Sequence, residues 1–117
     1  MTELTEARQR LADALEAEEA SETLFPPLPP DYFEHSRQIA RAAIEGLDPT
    51  RAGDRERYRT AQEVHDLADD LSNIRWAKVR RLAVGLMESE STTLPERLTA
   101  AEREFLESAL EIRGGRQ

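Results

Sequence analysis

The stretch DRERYRTAQEVHDLADDLSNIRWAKVRRLAVGLME, residues 54–88, decides the fold. On a 100° wheel Val64, Leu67, Ala68, Leu71, Ile74, Val79, Leu82 and Leu86 fall on one side, the signature of a helix with one apolar face. No proline interrupts it, and its one glycine, Gly85, sits in the last turns. The spacing predicts a helix from about Asp54 to Glu88, about 50 Å long at 1.5 Å per residue. Arg75 and Lys78 fall inside the apolar sector. A cation there costs several kcal/mol unless it is paired and hydrogen-bonded.

Working outward, every proline lies in a break between helical patterns. The breaks are residues 21–30 (SETLFPPLPP), 46–54 (GLDPTRAGD) and 91–97 (STTLPER), and Gly114-Gly115 opens a short tail. A first helix is expected over Thr2 to Glu19, with Leu4, Ala7, Leu11, Ala14 and Leu15 on a narrow seam that stops at Glu18. A second begins at Asp31 and carries Tyr32, Phe33, Ile39, Ala40, Ala43, Ile44 and Leu47. A fourth begins with a capping box, Thr99 and Glu102, and runs through Phe105, Leu106, Ala109, Leu110 and Ile112. No strand-like alternation appears. The fold expected is an all-α bundle of about four helices around one long central helix, a single domain over residues 1–113 with a tail at 114–117.

Glu102 projects onto the apolar side of its own helix, the mirror image of Arg75 and Lys78. Two readings follow. Glu102 meets Arg75 or Lys78 where the third and fourth helices pack, or the long basic side chains snorkel to the rim. Trp76 lies on the flank of the apolar face, near Tyr58, His65, Ala83 and Met87. It either packs under the first or second helix or belongs to a contact surface for a partner chain.

Composition excludes more than it assigns. The 117 residues carry 24 acidic and 16 basic side chains, a net charge of −8, which speaks against a free-standing nucleic-acid binder. With no cysteine, disulfides, thiol nucleophiles and Cys-based zinc sites are excluded. All the basic side chains but Lys78 are arginine, a bias that fits a high-GC or salt-adapted genome. No apolar run is long enough to span a membrane and the amino terminus has no apolar leader, so a cytoplasmic protein is expected.

No catalytic constellation is visible, and no cofactor or metal is expected. The two histidines, His35 and His65, show no metal-ligand spacing. Asp66, Asp69 and Asp70 read as a solvated face, and Glu63-Val64-His65 has the wrong spacing for a carboxylate di-iron site. Ser36 and Ser72 lack a nucleophile's context. The chain reads as a non-enzymatic interaction protein.

Three stretches together resemble the GINS family of DNA replication factors, in its α-helical A domain. They are Leu28-Pro29-Pro30-Asp31-Tyr32-Phe33 with Arg37 after it, Ile74-Arg75-Trp76-Ala77-Lys78-Val79-Arg80-Arg81-Leu82-Ala83, and Leu98-Thr99-Ala100-Ala101-Glu102-Arg103-Glu104-Phe105. The second is similar to the family's R-x-x-K-hydrophobic-x-x-L-A core, the third to its L-T-x-x-E-x-x-aromatic helix start. The resemblance implies a scaffold subunit of a complex that joins the MCM helicase and a RecJ-like protein, and contacts primase or polymerase, at the replication fork. It implies an archaeal source, a nucleoid-associated location and assembly with other GINS-like subunits, homo- or hetero-oligomeric. The family's small β-rich B domain is absent from the sequence, so an A-domain-only or truncated subunit of the helical-domain-first class is expected. Subunit contacts are expected at Leu4, Leu11 and Leu15 and at Tyr58, Trp76 and Met87, and Tyr32, Phe33, Leu82 and Phe105 are the motif positions expected in the core. Apart from the resemblance, the residues offer one local basic patch, Arg75, Lys78, Arg80 and Arg81, of which Arg80 and Arg81 are expected to be exposed, and any DNA contact is expected to be only weak or indirect. The alternative is an unrelated helical homodimeric regulatory module whose first-helix seam pairs with itself.

Overall fold

The computed structural model describes residues 3–25, 28–90, 93–95 and 98–114. Four helices stand among these residues: α1 (Glu3–Ala20), α2 (Pro30–Gly46), α3 (Arg55–Glu88) and α4 (Ala100–Gly114). The chain is all-α with a long central helix, as the periodicity predicts. The expected start at Thr2, Pro26-Pro27 of the first break, parts of the third break and the tail beyond Gly114 lie outside the described residues.

The sequence explains each boundary. Pro30 occupies the start of α2, where its missing N–H costs nothing, and Asp31 follows in the first turn. α3 runs unbroken through Gly85 for 34 residues, about 50 Å. At its end Arg113 of α4 donates from Nη1 to the Leu86 and Ser89 carbonyls (2.9 and 2.6 Å), which α3 leaves without intrahelical partners. The capping box forms: Glu102 N–H donates to Thr99 Oγ1 (3.1 Å) and Thr99 N–H donates to Glu102 Oε1 (2.9 Å).

α3 is the spine: the other three helices pack chiefly on it, and α1 and α2 touch one another only lightly. α1 runs parallel to it, with Arg8 against Glu63 at one end and Glu18 against Lys78 at the other. α2 runs antiparallel: Phe33 and Arg37 lie at the level of Ser72 and Asp69, and Arg41 and Ile44 at the level of Gln62 and His65. α4 is parallel again, with Glu102 beside Arg75 and Arg113 beside Leu86. The result is a rod of 63 × 25 × 18 Å. Its radius of gyration, 17.5 Å, exceeds the roughly 13 Å of a compact chain of this length.

The core is divided in two. One apolar cluster joins Leu4, Ala7, Leu11 and Ala14 of α1, Phe33 and Ala40 of α2, and Ala61, Val64, Ala68 and Leu71 of α3. The other joins Val79, Ala83 and Leu86 of α3 with Leu98, Leu106 and Ala109 around α4. This arrangement corrects the expectation that the α1 seam is a subunit contact: Leu4 and Leu11 are 5% and 0% exposed because α1 lays that seam on α3 of the same chain. Leu15 is partly buried against the same cluster. The seam is therefore not free to self-pair either. Small Ala7 and Ala14 of α1 share this cluster with small Ala61 and Ala68 of α3.

Candidate functional site

Between the two apolar clusters α3 carries Arg75 and Lys78, 2% and 7% exposed. Two carboxylates meet them, Glu102 from α4 and Glu18 from α1, 2% and 0% exposed. The Arg75 guanidinium grips Glu102 with two prongs, donating from Nε to Oε2 at 3.2 Å and from Nη2 to Oε1 at 2.9 Å. Its Nη1 donates to the Phe25 carbonyl at 2.9 Å and stands 3.5 Å from Glu18 Oε2. Lys78 Nζ lies 3.1 Å from Glu18 Oε1 and donates to the Thr23 carbonyl at 3.1 Å and to the Glu18 carbonyl. The Phe25 N–H donates to Glu18 Oε1 at 3.4 Å.

The cluster is electrically balanced, two cations against two anions, which is the condition under which burial of charge is tolerable. Planar Arg75 supplies the forked geometry that matches a carboxylate, whereas the compact Lys78 head satisfies carbonyls where α1 ends. The end of α1 is also the negative end of its dipole, a favourable place for an ammonium group. Glu18 Oε2 accepts no hydrogen bond among the described residues, although Arg75 Nη1 lies at ion-pair distance. Through the carbonyls of Thr23 and Phe25 the cluster also ties the linker after α1 to α3.

The structure thus brings Glu102 to Arg75 and gives Lys78 a different partner, Glu18. The reading in which the two cations snorkel to the rim is corrected: both heads are enclosed because carboxylates await them inside. The reading that Glu18 ends the α1 seam is corrected too, because the position stays buried and changes from apolar to ionic. One signal pointed to it. Two inward cations call for two inward anions, and Glu18 occupies the next seam position after Leu11, Ala14 and Leu15.

Trp76 packs on α4, not under α1 or α2. Its ring meets Phe105 edge to face, with centroids 5.7 Å apart and planes at 85°. Leu82 and Met87 pack partly buried against the same cluster, and Tyr58 is half-buried on α3. Phe33 lies in the core, and Tyr32 packs partly buried beside it with the Arg10 guanidinium 5.9 Å above its ring. Phe105 is 40% exposed, which corrects its placement in the core. The fully buried α4 residue is Leu106, because Phe105 leans outward to cover Trp76.

A cleft of about 260 Å³ opens beside the cluster, lined by Phe33, Arg37, Ser72, Trp76 and Thr99 among others. Two of its cations are committed, Arg75 to Glu102 and Arg37 to Asp69, and Glu34 also lines it. Asp69 also stands 3.5 Å from His65 Nδ1, and exposed His35 lies 3.8 Å from Glu3. No group of three or more His, Cys, Asp or Glu side chains among the described residues is placed to hold a metal ion. No described helix is long and apolar enough to cross a membrane. Arg80 and Arg81 are exposed, whereas Arg75 and Lys78 are buried against carboxylates, which corrects the basic patch expected of all four. The arrangement acts mechanically: it locks three helices and a linker at one level of the rod.

No family model, curated protein or solved structure matches this chain.

Proposed function

We propose that this chain is a non-enzymatic scaffold subunit of a GINS-like complex, assembling with an MCM helicase and a RecJ-like protein in DNA replication. One observation supports the reading above the others. The R-x-x-K stretch and the L-T-x-x-E stretch, far apart in sequence, close on each other as one unit through Arg75 and Glu102. The motif residues thus have a shared physical task, which is to fix α4 on the long helix. A rod about 63 Å long with a pinned middle suits a bridging subunit.

The test is co-purification of the intact chain with an MCM helicase and with a second GINS-like subunit, followed by mass analysis of the complex. Stoichiometric recovery with either is expected. A chain that retains neither overturns the reading. DNA contact has a separate check: Arg80→Ala with Arg81→Ala is expected to leave DNA retention and its salt slope unchanged, since each lost phosphate contact would lower that slope by about one.

A further inference from the structure

The cluster of α4 on α3 leaves one face of that helix pair uncovered. Trp76 and Phe105 touch and fix its phase. At 100° per residue, Met87 lies about 20° from Trp76, and Ile112 about 20° from Phe105, on the same side of the pair. Val84 completes the stripe about 80° round from Trp76. Val84 and Ile112 are 57% and 54% exposed, against 40% for Phe105, so three large apolar side chains are exposed on this side, with Arg80 standing between Trp76 and Val84.

The edges of this face carry opposite charges. On the α3 edge stands Arg81, with Arg80 closer to the middle, and both are exposed. On the α4 edge stand Glu104 and Glu111, also exposed. None of the four has an ion-pair partner among the described residues. Because α3 and α4 run parallel, a two-fold axis along the rod would set the α3 of one copy on the α4 of another. Arg81 then comes within reach of Glu111 across each edge, since Glu111 is level with Val84, about 4.5 Å further along the pair than Arg81. The other two-fold arrangement sets α3 on α3 and brings arginines together. A patch whose apolar strip is crossed by Arg80 and whose rims are self-complementary defines an isologous contact.

We propose that two copies of this chain associate through the α3–α4 face, with Trp76, Phe105, Val84 and Ile112 at the centre and Arg81–Glu111 pairs at both rims. The 15 residues of α4 measure about 22 Å, and two helices side by side about 20 Å, so the contact buries on the order of 900 Å² in total. That is below the standard size of about 1,600 Å² and defines a reversible, concentration-dependent dimer. This inference goes beyond the replication reading and does not rest on it: a chain that dimerises and ignores the helicase keeps the one and loses the other.

Sedimentation equilibrium of the intact chain from ~5 μM to ~500 μM tests it, with circular dichroism to verify folding of each variant. A monomer–dimer equilibrium is expected in this range, and Val84→Glu, at an exposed position, abolishes it. Arg81→Glu and Glu111→Arg each weaken it about tenfold by placing like charges at both rims, and the combined variant regains the original affinity. A single monomeric mass at every concentration overturns the proposal, and so does a dimer indifferent to Val84→Glu or an exchange variant that fails to recover.

Discussion

Replacing Glu102 by glutamine tests the buried cluster at its most economical point. The shape is kept, and so is much of the bonding. Glu102 Oε1 accepts from both Arg75 Nη2 and Thr99 N–H, and a glutamine carbonyl placed there still accepts both. What changes is the second oxygen, which accepts from Arg75 Nε at 3.2 Å. It becomes an NH₂ group facing a donor, and the cluster is left with two cations and one anion. Breaking one side of a buried pair costs about 3–5 kcal/mol, and the retained cap places this variant near the lower figure. Against a total of roughly 5–15 kcal/mol this is a large loss, equivalent to about 10–15 °C in midpoint. Urea unfolding followed by helical ellipticity and Trp76 emission measures it.

The decisive comparison adds Arg75→Met. Alone, that change leaves the cluster with an excess anion. Combined with Glu102→Gln it leaves Lys78 and Glu18 as a balanced pair at 3.1 Å. The double variant is therefore expected to lose at least ~1 kcal/mol less than the sum of the singles. A Glu102→Gln protein within ~0.5 kcal/mol of the parent, or losses that simply add, would refute the argument that balance of buried charge governs this site.

Three further outcomes follow from individual contacts. Ser36 is 1% exposed and its hydroxyl has no hydrogen-bond partner among the described residues, so Ser36→Ala is expected to be neutral or stabilising by up to ~1 kcal/mol in the same urea assay; a destabilisation of more than ~1 kcal/mol would mean the hydroxyl is satisfied. Phe105→Ala removes the edge-to-face partner of Trp76, and is expected to cost about 1 kcal/mol and move the tryptophan emission to longer wavelength; unchanged emission would contradict the contact. The Thr50 hydroxyl and then the Thr50 N–H, both donating to Asp48, hold its carboxyl below the ordinary range. A lowered value adds stability above the ordinary carboxylate range and loses it as pH falls through the lowered value, so Thr50→Ala should raise the Asp48 titration seen by NMR while leaving the remaining backbone bond.

Much of this architecture was legible because helices advertise themselves locally. The proline breaks and the 3.6-residue period of residues 54–88 set helix boundaries to within about a residue of those observed, Arg55–Glu88 for α3 and Pro30 for the start of α2. The meeting of Glu102 and Arg75 was legible for a related reason. The capping box fixed the phase of α4, and each charge sat on an otherwise apolar face. What a wheel cannot give is the identity of the neighbour. It placed Trp76 on a flank but not which helix lies there, and the parallel return of α4 supplied the answer. Nor could it separate a seam that packs within the chain from one that packs between chains, since burial of Leu4 and Leu11 satisfies the same pattern either way. Glu18 escaped because an acid normally ends an apolar stripe, and only the cations on α3 make its burial intelligible.

The position of the cluster suggests why a helical rod would carry charge inside it. Apolar contacts tolerate sliding: if α4 slipped one turn along α3, about 5.4 Å, leucine and alanine would still meet leucine and valine. The ionic contacts do not tolerate it, because the same slip removes Glu102 from Arg75 and strands a buried charge on each side. The cluster therefore adds register rather than net stability, a use of buried polar groups known from helical assemblies. The test is to exchange all four residues for apolar ones of similar size, Glu18→Leu, Arg75→Met, Lys78→Met and Glu102→Leu. Helicity is expected to remain, since no charge is left unbalanced. The amide NMR spectrum is expected to broaden or double for residues of α4 and of the linker at 21–25, whose carbonyls lose their donors. A quadruple variant with one sharp set of signals would show that packing alone fixes the register, and that the inward charges serve some other end.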